Sequence, residues 1–309
     1  MHALVVTGPD AGYEIVICIP AHGPSRALRD TVARLSEVFA QDTERALLAI
    51  ANSGAPIGDL KWPGPLKLIS VPPDVYWTGA VKALFSFVED TQSKYVLLLN
   101  HDCIPAPDAI GILQETADRV GNGAICHAVV LRKDNECIAW WAGNVRQRWH
   151  LSYSRKYYNM DARLVPAEPY PTLSTMGQCL LLPHAAARAR FLDERRMPHY
   201  WGDSAMSSEM RRAGYRLLMV PRAIAYTDQS DYAKKRAKIT CRKVSDIKRV
   251  FFEKSSNRYL PGAFWGMAAQ HDSRVLGIAA GAVYAIGKVA KALGEWVLGQ
   301  DNQAAEREP

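Results

Sequence analysis

The order of hydrophobic and polar residues along the chain predicts alternating strands and helices. Unbroken apolar runs at residues 14–20, 46–50 and 96–99 predict buried strands, because parallel strands covered on both faces lose the usual alternation. Between the first two runs, apolar residues recur at helical spacing from Leu28 to Phe39. Strand, helix and strand in this order predict an α/β fold with a Rossmann-like, doubly wound and mostly parallel sheet.

The same pattern continues to about residue 231 and then changes. Further strands are predicted at 66–71, 123–131, 174–183 and 216–221, and helices at 80–90, 109–120, 185–196 and 204–213. Residues 143–172 show no clear period and predict a loop-rich insertion. We therefore expect one α/β domain over residues 1–231. A C-terminal helical region, basic and amphipathic, is expected over residues 232–309.

One stretch, KYVLLLNHDCIPAPD at residues 94–108, places a carboxylate directly after a buried strand. The apolar run stops at Asn100 and His101, and Asp102 follows at the turn. Open α/β sheets bind ligands outside the carboxyl ends of their strands. An oxygen held there suits a hard divalent cation that bridges phosphates. An Asp102 that only caps a turn fits the sequence equally well.

Other strand ends and helix starts carry candidate ligand residues, each with an ordinary structural alternative. His22 and Asn52 follow predicted strands and could contact a nucleotide base, although turn residues are the commoner explanation. Gly79 precedes a helix whose N-terminus would favour phosphate. Asp203 opens another helix, where it could cap the helix or act as a general base.

Composition limits the class of protein without choosing a partner. The 309 residues are 48% hydrophobic and 22% charged, as in ordinary globular proteins. The net charge of +7 suits an anionic partner such as a nucleotide sugar, a lipid headgroup or a nucleic acid. Six scattered cysteines without a CxxC pair are expected to be reduced, as in cytosolic proteins. No basic region precedes the first apolar run, so we expect no signal peptide.

Taken together, these motifs resemble the family 2 glycosyltransferases with a GT-A fold, most closely the bacterial rhamnosyltransferase-like branch. The resemblance covers roughly residues 14–228. It is carried by the segments EIVICIPAHG (14–23), ANS (51–53), WTGAVK (77–82), YVLLLNHDCIPAPD (95–108), GQCLLLP (177–183), FLDERRMPHYWGD (191–203) and RRAGYRLLMVPRAIAY (211–226). Each segment is a weak signal alone, and their order and spacing make the resemblance specific.

The resemblance implies a role for individual residues of this chain. Asp102 would bind a divalent metal, Mg²⁺ or Mn²⁺, and Asp203 would be the catalytic base. Asn100 stands at the first position of the DxD-like motif, and Asp228 stands where the family has a metal-binding His. Arg211 or Arg212 would replace an Arg that the family has in the next helix. Donor contacts would come from Pro20, Ala21, His22, Asn52, Trp77, Thr78, Gly79, Asn100, His101, Asp102, Gly177 and Gln178.

The implied activity is inverting, metal-assisted transfer of a hexosyl or deoxyhexosyl group from a nucleotide-diphosphate sugar. The acceptor would be a glycan or polyprenyl-linked hydroxyl, in bacterial surface polysaccharide synthesis. A sugar nucleotidyltransferase is an alternative, but AHGPSR after the first strand lacks the Gly-rich basic loop that it needs. A basic nucleic-acid-binding protein is a second alternative, supported only by the cations of residues 234–249, and no nucleic acid is expected.

The C-terminal region favours contact with a membrane surface over packing as a lid or a dimer contact. Residues 234–252 are basic and amphipathic, and residues 275–287 are apolar before Lys288 and Lys291 interrupt the run. We expect the apolar run to be too short to span a bilayer. The expected location is the cytoplasm, with peripheral contact to the inner face of the cell membrane through residues 232–299.

Overall fold

The computed structural model describes residues 12–121, 123–146, 153–228, 249–254, 256 and 259–305. Its strands are β1 Tyr13–Ala21, β2 Ala46–Asn52, β3 Leu66–Ser70, β4 Ser93–Leu98, β5 Cys103–Pro105, β6 Ala124–Arg132, β7 Asn135–Trp141, β8 Asn144–Arg146, β9 Tyr153–Arg155, β10 Met160–Asp161, β11 Tyr170–Pro171, β12 Leu180–Pro183 and β13 Arg216–Thr227. Its helices are α1 Arg26–Val38, α2 Tyr76–Glu89, α3 Ala109–Val120, α4 Gly202–Arg212, α5 Leu260–Ala269 and α6 Arg274–Ala305.

Four strands in the order β3-β2-β1-β4 form the parallel part of the main sheet. Side chains of β1 alternate between two cores. Helices α1 and α3 cover one face, with Leu28 and Leu113 in that core. Helices α2 and α4 cover the other, with Phe85 and Met206. The predicted doubly wound α/β class is therefore confirmed.

The antiparallel strand β12 joins this parallel part to the rest of the sheet. It lies between β4 and β6, and β6 in turn pairs in parallel with β13. Because β12 runs against β4, the residues just before β12 lie at the same edge as the residues just after β4. Gly177 and Gln178 therefore reach the edge where the parallel strands end.

Two predicted elements differ in the structure. The helix predicted at residues 185–196 is replaced by 3₁₀ turns at His184–Ala186 and Ala189–Phe191. The backbone N–H of Ala189 donates to the Glu89 carboxylate at 2.9 Å instead of to a helical carbonyl. The insertion at residues 143–172 is more ordered than predicted, since it contains the short strands β8, β9, β10 and β11.

Helices α5 and α6 form a closely packed pair after the main sheet. A Cβ added at Gly277 would lie 2.5 Å from the carbonyl oxygen of Ala268, and one added at Gly281 would lie 2.6 Å from that of Phe264. Glycine at these two α6 positions thus permits the contact. The predicted segment 232–248 lies outside the described residues. The division into two domains at residue 231 stays a prediction.

The expectation that the C-terminal apolar run is too short to span a bilayer is wrong for the helix as folded. Helix α6 continues through Lys288 and Lys291 over 32 residues. Its stretch Arg274–Gly294 is long and apolar enough to cross a membrane by length and composition, and 22% of that stretch is buried. Two lysines alone do not end a helix, because lysine is a good helix former.

Candidate active site

The carboxyl ends of β1, β2 and β4 meet at one edge of the sheet. Pro20 and Ala21 are buried opposite Ala51 and Asn52 in the parallel register. The predicted donor-side residues of the first two strands therefore share one edge. As backbone of a buried strand, Pro20 and Ala21 position the loop that follows them.

Asn52 and His22 have different roles in that loop. The side-chain oxygen of Asn52 accepts a hydrogen bond from the Gly23 N–H at 2.7 Å, and its nitrogen donates to the Ala55 carbonyl at 2.8 Å. The amide thus braces the two loops against each other. His22 is exposed, with its Nδ1 3.0 Å from the Ser53 hydroxyl. Base contact by either residue stays a prediction, and His22 is the more accessible.

The turn after β4 carries Asn100, His101 and Asp102, all half-buried. The Cys103 N–H closes the turn by donating to the Asn100 carbonyl at 3.1 Å. From α1, the Thr31 hydroxyl donates to the His101 carbonyl at 2.9 Å. These two bonds fix the backbone of the turn and leave all three side chains at the edge.

Trp77 connects this turn to the segment before β12. Its indole Nε1 donates to the side-chain oxygen of Asn100 at 2.8 Å. Its six-membered ring lies against Gly177, where an added Cβ would overlap the ring atom Cζ2. Glycine is therefore the residue that permits this contact at position 177. The side chain of Asn100 is thus oriented by an aromatic side chain from α2.

Asp203 lies at the other side of Gly177. The Gly177 N–H donates to Oδ2 of Asp203 at 3.3 Å, and the Ser204 N–H donates to Oδ1 at 2.7 Å. Burial raises the pKa of the Asp203 carboxyl, while these two bonds and the charge of Arg155 oppose the shift. A carboxylate with a raised pKa is a stronger proton acceptor than an exposed one. The role of Asp203 as a general base stays a prediction. Asn100, Trp77, Gly177 and Asp203 form one connected series.

Thr78 and Gly79 lie in the first turn of α2, beside the segment that precedes Asp203. Thr78 is buried, with its hydroxyl donating to the Met197 carbonyl at 2.6 Å and its N–H to the Pro198 carbonyl at 3.0 Å. An added Cβ at Gly79 would lie 3.5 Å from Oε2 of Glu194. The first turn of α2 thus packs against the segment before Asp203. Donor contact by Thr78 and Gly79 stays a prediction.

Asp102 and Asp228 lie across a strand pair from each other. Thr227 pairs with Cys103 in the antiparallel register of β13 and β5, so the next residues outward are Asp228 and Asp102. Residues directly opposite in such a pair have Cα atoms about 4.5–5.5 Å apart. Among the residues that the structure describes, no group of three or more His, Cys, Asp and Glu side chains could hold a metal. Two carboxylates with substrate phosphates are nonetheless a usual Mg²⁺ arrangement.

Buried polar atoms without a partner lie near Asp203. Within the described residues, Oε1 of Gln178 and the hydroxyl of Thr175 accept or donate no hydrogen bond. Gln178 is only 4% exposed. Because buried polar atoms are rarely unpaired, these two residues are candidates for contacts to a bound sugar. Gln178 was predicted to contact the donor, and Thr175 was not predicted.

Sequence reasoning missed Arg155 and Trp201. The Arg155 guanidinium lies 4.9 Å from the ring centre of Tyr158, and its charge acts on Asp203. Trp201 precedes α4 with a left-handed backbone, at φ 74°. The Arg-rich and Tyr-rich composition of residues 143–172 was the only available signal for Arg155. A strained tryptophan backbone has no signal in a single sequence.

Helices α5 and α6 pack on the helix that carries Asp203. Arg211 pairs with Asp272 at 2.8 Å, and Arg212 donates to the His271 carbonyl at 2.6 Å. The ring centres of Trp201 and Tyr284 are 5.4 Å apart. Arg211 and Arg212 therefore hold the C-terminal helices, whereas the resemblance implied a role in the site.

The chain is similar in fold to solved structures of other proteins. No protein-family model and no curated protein matches the chain by sequence. A structure of GalNAc-T7 with UDP, GalNAc and Mn²⁺ has 13% identity and a TM-score of 0.49, and the match covers 71% of this chain and 44% of that one. A mannosyltransferase, PcManGT from Pyrobaculum calidifontis with GDP-Man and Mn²⁺, has 12% identity and a TM-score of 0.48, covering 96% and 81%. The chain thus spans less than half the length of the first structure.

Proposed function

We propose that this chain is an inverting, metal-assisted glycosyltransferase of the GT-A class that uses a nucleotide-diphosphate sugar. The observation that carries the proposal is the connected series Asn100, Trp77, Gly177 and Asp203 at the ligand edge of the sheet. It joins the turn that carries Asn100 and Asp102 to the half-buried carboxyl of Asp203, whose pKa is raised. Transfer of a sugar needs both parts, because one holds the donor and the other activates the acceptor.

In this proposal Asp203 accepts the proton of the acceptor hydroxyl. The hydroxyl oxygen then forms a bond to the anomeric carbon while the bond from that carbon to the diphosphate breaks, with inversion. Asp102 and Asp228 would hold the divalent metal, Mg²⁺ or Mn²⁺, and such a metal would neutralise charge on the leaving nucleoside diphosphate. His22, His101 and the unpaired oxygen of Gln178 would contact the donor.

The finer features of the proposal come from the family resemblance. The sugar would be a hexose or deoxyhexose, and the acceptor a glycan or a polyprenyl-linked glycan of bacterial surface polysaccharide. The protein would act in the cytoplasm, and residues 232–299 would contact the inner face of the membrane. The metal and donors of the two glycosyltransferase structures above guide the first choice of ligands to test.

The first experiment measures melting temperature with UDP-, dTDP- and GDP-sugars, with and without Mn²⁺, together with donor hydrolysis. We expect one nucleotide class to raise the melting temperature only when metal is present. Asp102→Ala should lose this shift, because a metal ligand is removed. Asp203→Asn should keep the shift and lose turnover, because only the base is removed.

Asp90→Ala is the matched control, since Asp90 is exposed at the far end of α2 from the site. It should keep both the shift and the turnover. If no nucleotide sugar shifts the melting temperature with any metal, the proposal fails. If Asp203→Asn retains full turnover, the role of Asp203 is wrong.

A further inference from the structure

The outer face of α6 is an unusually apolar exposed surface. It consists of large hydrophobic side chains that are between 49% and 77% exposed: Val275, Leu276, Ile278, Val283, Ile286 and Leu293. Exposed apolar side chains are normally scattered, and a contiguous set marks an interaction surface. The side chains repeat along one helix, so they form a continuous strip. We therefore expect another surface to cover the outer face of α6.

The opposite side of the same helix is fixed to the protein. Gly277 and Gly281 are in backbone contact with α5, and Tyr284 packs on Trp201. These residues follow each other at intervals of three or four, so they define one inner side of α6. The helix cannot turn its apolar strip inward without losing these contacts.

Exposed cations lie beside the strip. Between Val275 and Gly287 the sequence VLGIAAGAVYAIG contains Tyr284 as its single polar side chain, and Tyr284 faces inward. Arg274 precedes the strip and Lys291 lies near its last residue, and both are exposed. Lys288 lies over the inward-facing Tyr284 ring, and the neighbouring Asp272 is paired with Arg211. An apolar strip bracketed by cations is complementary to a layer of acyl chains beneath anionic headgroups.

A second copy of the chain is a poorer occupant than a lipid surface. In an antiparallel pair of α6 helices, Arg274 of each copy would approach Lys291 of the other. In a parallel pair, equal charges would face each other. Like charges facing each other across an interface are unfavourable in both arrangements.

We propose that the outer face of α6 lies in the surface of a bilayer that contains anionic lipid, with the helix axis parallel to the membrane plane. A spanning helix is the competing arrangement, since the stretch is long enough. Spanning would break the glycine contacts with α5 and the ring contact with Trp201, whereas lying in the plane keeps both.

The orientation has a consequence for the acceptor, and this step rests on the proposed function. Tyr284 contacts Trp201, which directly precedes the helix that carries Asp203. Docking through α6 therefore brings the Asp203 end of the site toward the lipid surface. An acceptor hydroxyl on a lipid-linked glycan could reach the base there without leaving its membrane.

Vesicle flotation of the full chain tests the contact directly. The probes are vesicles of phosphatidylcholine alone and of phosphatidylcholine with phosphatidylglycerol. We expect flotation with the anionic vesicles, and at least about a tenfold weaker partition for Val283→Asn/Ile286→Asn, which removes apolar contact. Arg274→Gln/Lys291→Gln should weaken binding mainly at low salt. Leu164→Asn is the matched control, because Leu164 is 55% exposed on a different element, and it should bind as the unchanged protein does.

Three results would overturn the proposal. One is equal flotation of Val283→Asn/Ile286→Asn, with an unchanged circular dichroism spectrum. Another is resistance of the bound protein to alkaline carbonate extraction, which would indicate a spanning helix. The third is a dimer in light scattering that Val283→Asn/Ile286→Asn disrupts while vesicle binding is absent. Melting shifts by nucleotide sugar are measured on the same variants, so that a failure of the membrane contact is distinguished from a failure of donor binding.

Discussion

Replacing Gly177 by alanine tests the contact that joins the two halves of the candidate site. An added Cβ would overlap the Trp77 ring, and its next nearest ring atoms are 3.0 Å away. Both residues also donate hydrogen bonds to other groups. The Trp77 indole donates to the Asn100 side chain, and the Gly177 N–H donates to the Asp203 carboxylate. The overlap therefore has to displace one of these two hydrogen bonds.

The expected cost follows from overpacking at a partly buried site. Inserting a methyl group into a packed region costs roughly 1–3 kcal/mol of stability. Loss of one hydrogen bond lies within the same range, at about 1 kcal/mol. If the displaced bond is the one from Gly177 to Asp203, turnover should fall by about tenfold, which corresponds to roughly 1.4 kcal/mol in the barrier.

Urea unfolding and donor turnover measure the two effects. In Gly177→Ala/Trp77→Leu the ring is absent, so the double variant should be more stable than the sum of the single changes by at least about 1 kcal/mol. Gly111→Ala is the control, because Gly111 is exposed within α3 with open space around it. That change should stabilise the protein by about 0.5–1 kcal/mol. Additive costs for Gly177 and Trp77 would refute the reasoning.

Three further predictions follow from burial and packing. Asp203→Asn should raise the melting temperature at pH 7, because the raised pKa means that ionisation of Asp203 costs folding energy as pH rises through it. The gain should vanish below about pH 4, where Asp203 is protonated in both the folded and the unfolded state. A variant that is less stable than the unchanged protein at pH 7 would contradict this prediction. Asp272→Ala should cost under about 1 kcal/mol, because its pair with Arg211 is partly exposed. Hydrogen exchange should rise in α5 and α6 only; an equal rise in α1 would contradict this. A thiol reagent should label Cys137 in the native protein and spare the buried Cys18, Cys103, Cys126 and Cys179, with labelling of Cys103 as the contrary result.

The strands of the parallel part were predictable because the local sequence alone indicates that they are buried. The runs that became β1, β2 and β4 are unbroken and short, and a strand covered by helices on both faces needs that pattern. Asp102 could be placed at the sheet edge for the same reason. A carboxylate that directly follows such a run can only lie where the strand ends.

Other features could not be predicted, since they depend on partners far away in sequence. The helical spacing at residues 185–196 was real, but the Glu89 carboxylate takes the Ala189 N–H that a helix would use. The role of Gly177 depends on Trp77, which is a hundred positions earlier in the chain. The packing of Thr78 depends in the same way on the carbonyls of Met197 and Pro198, which accept its two hydrogen bonds.

Because β12 is antiparallel to β4, the insertion before it can change in length independently of the loops that follow the parallel strands. The loops that the proposed function assigns to the donor follow strands of the parallel part, and hydrogen bonds such as those of Asn52 brace them. The segment before β12 reaches the same edge from the opposite direction, at the end of the insertion at residues 143–172. Changes of length in that insertion would reshape the surface beside Asp203 without shifting a single strand of the parallel part. Under the proposed function, a change in this one stretch of chain would alter the acceptor while the donor contacts stay the same.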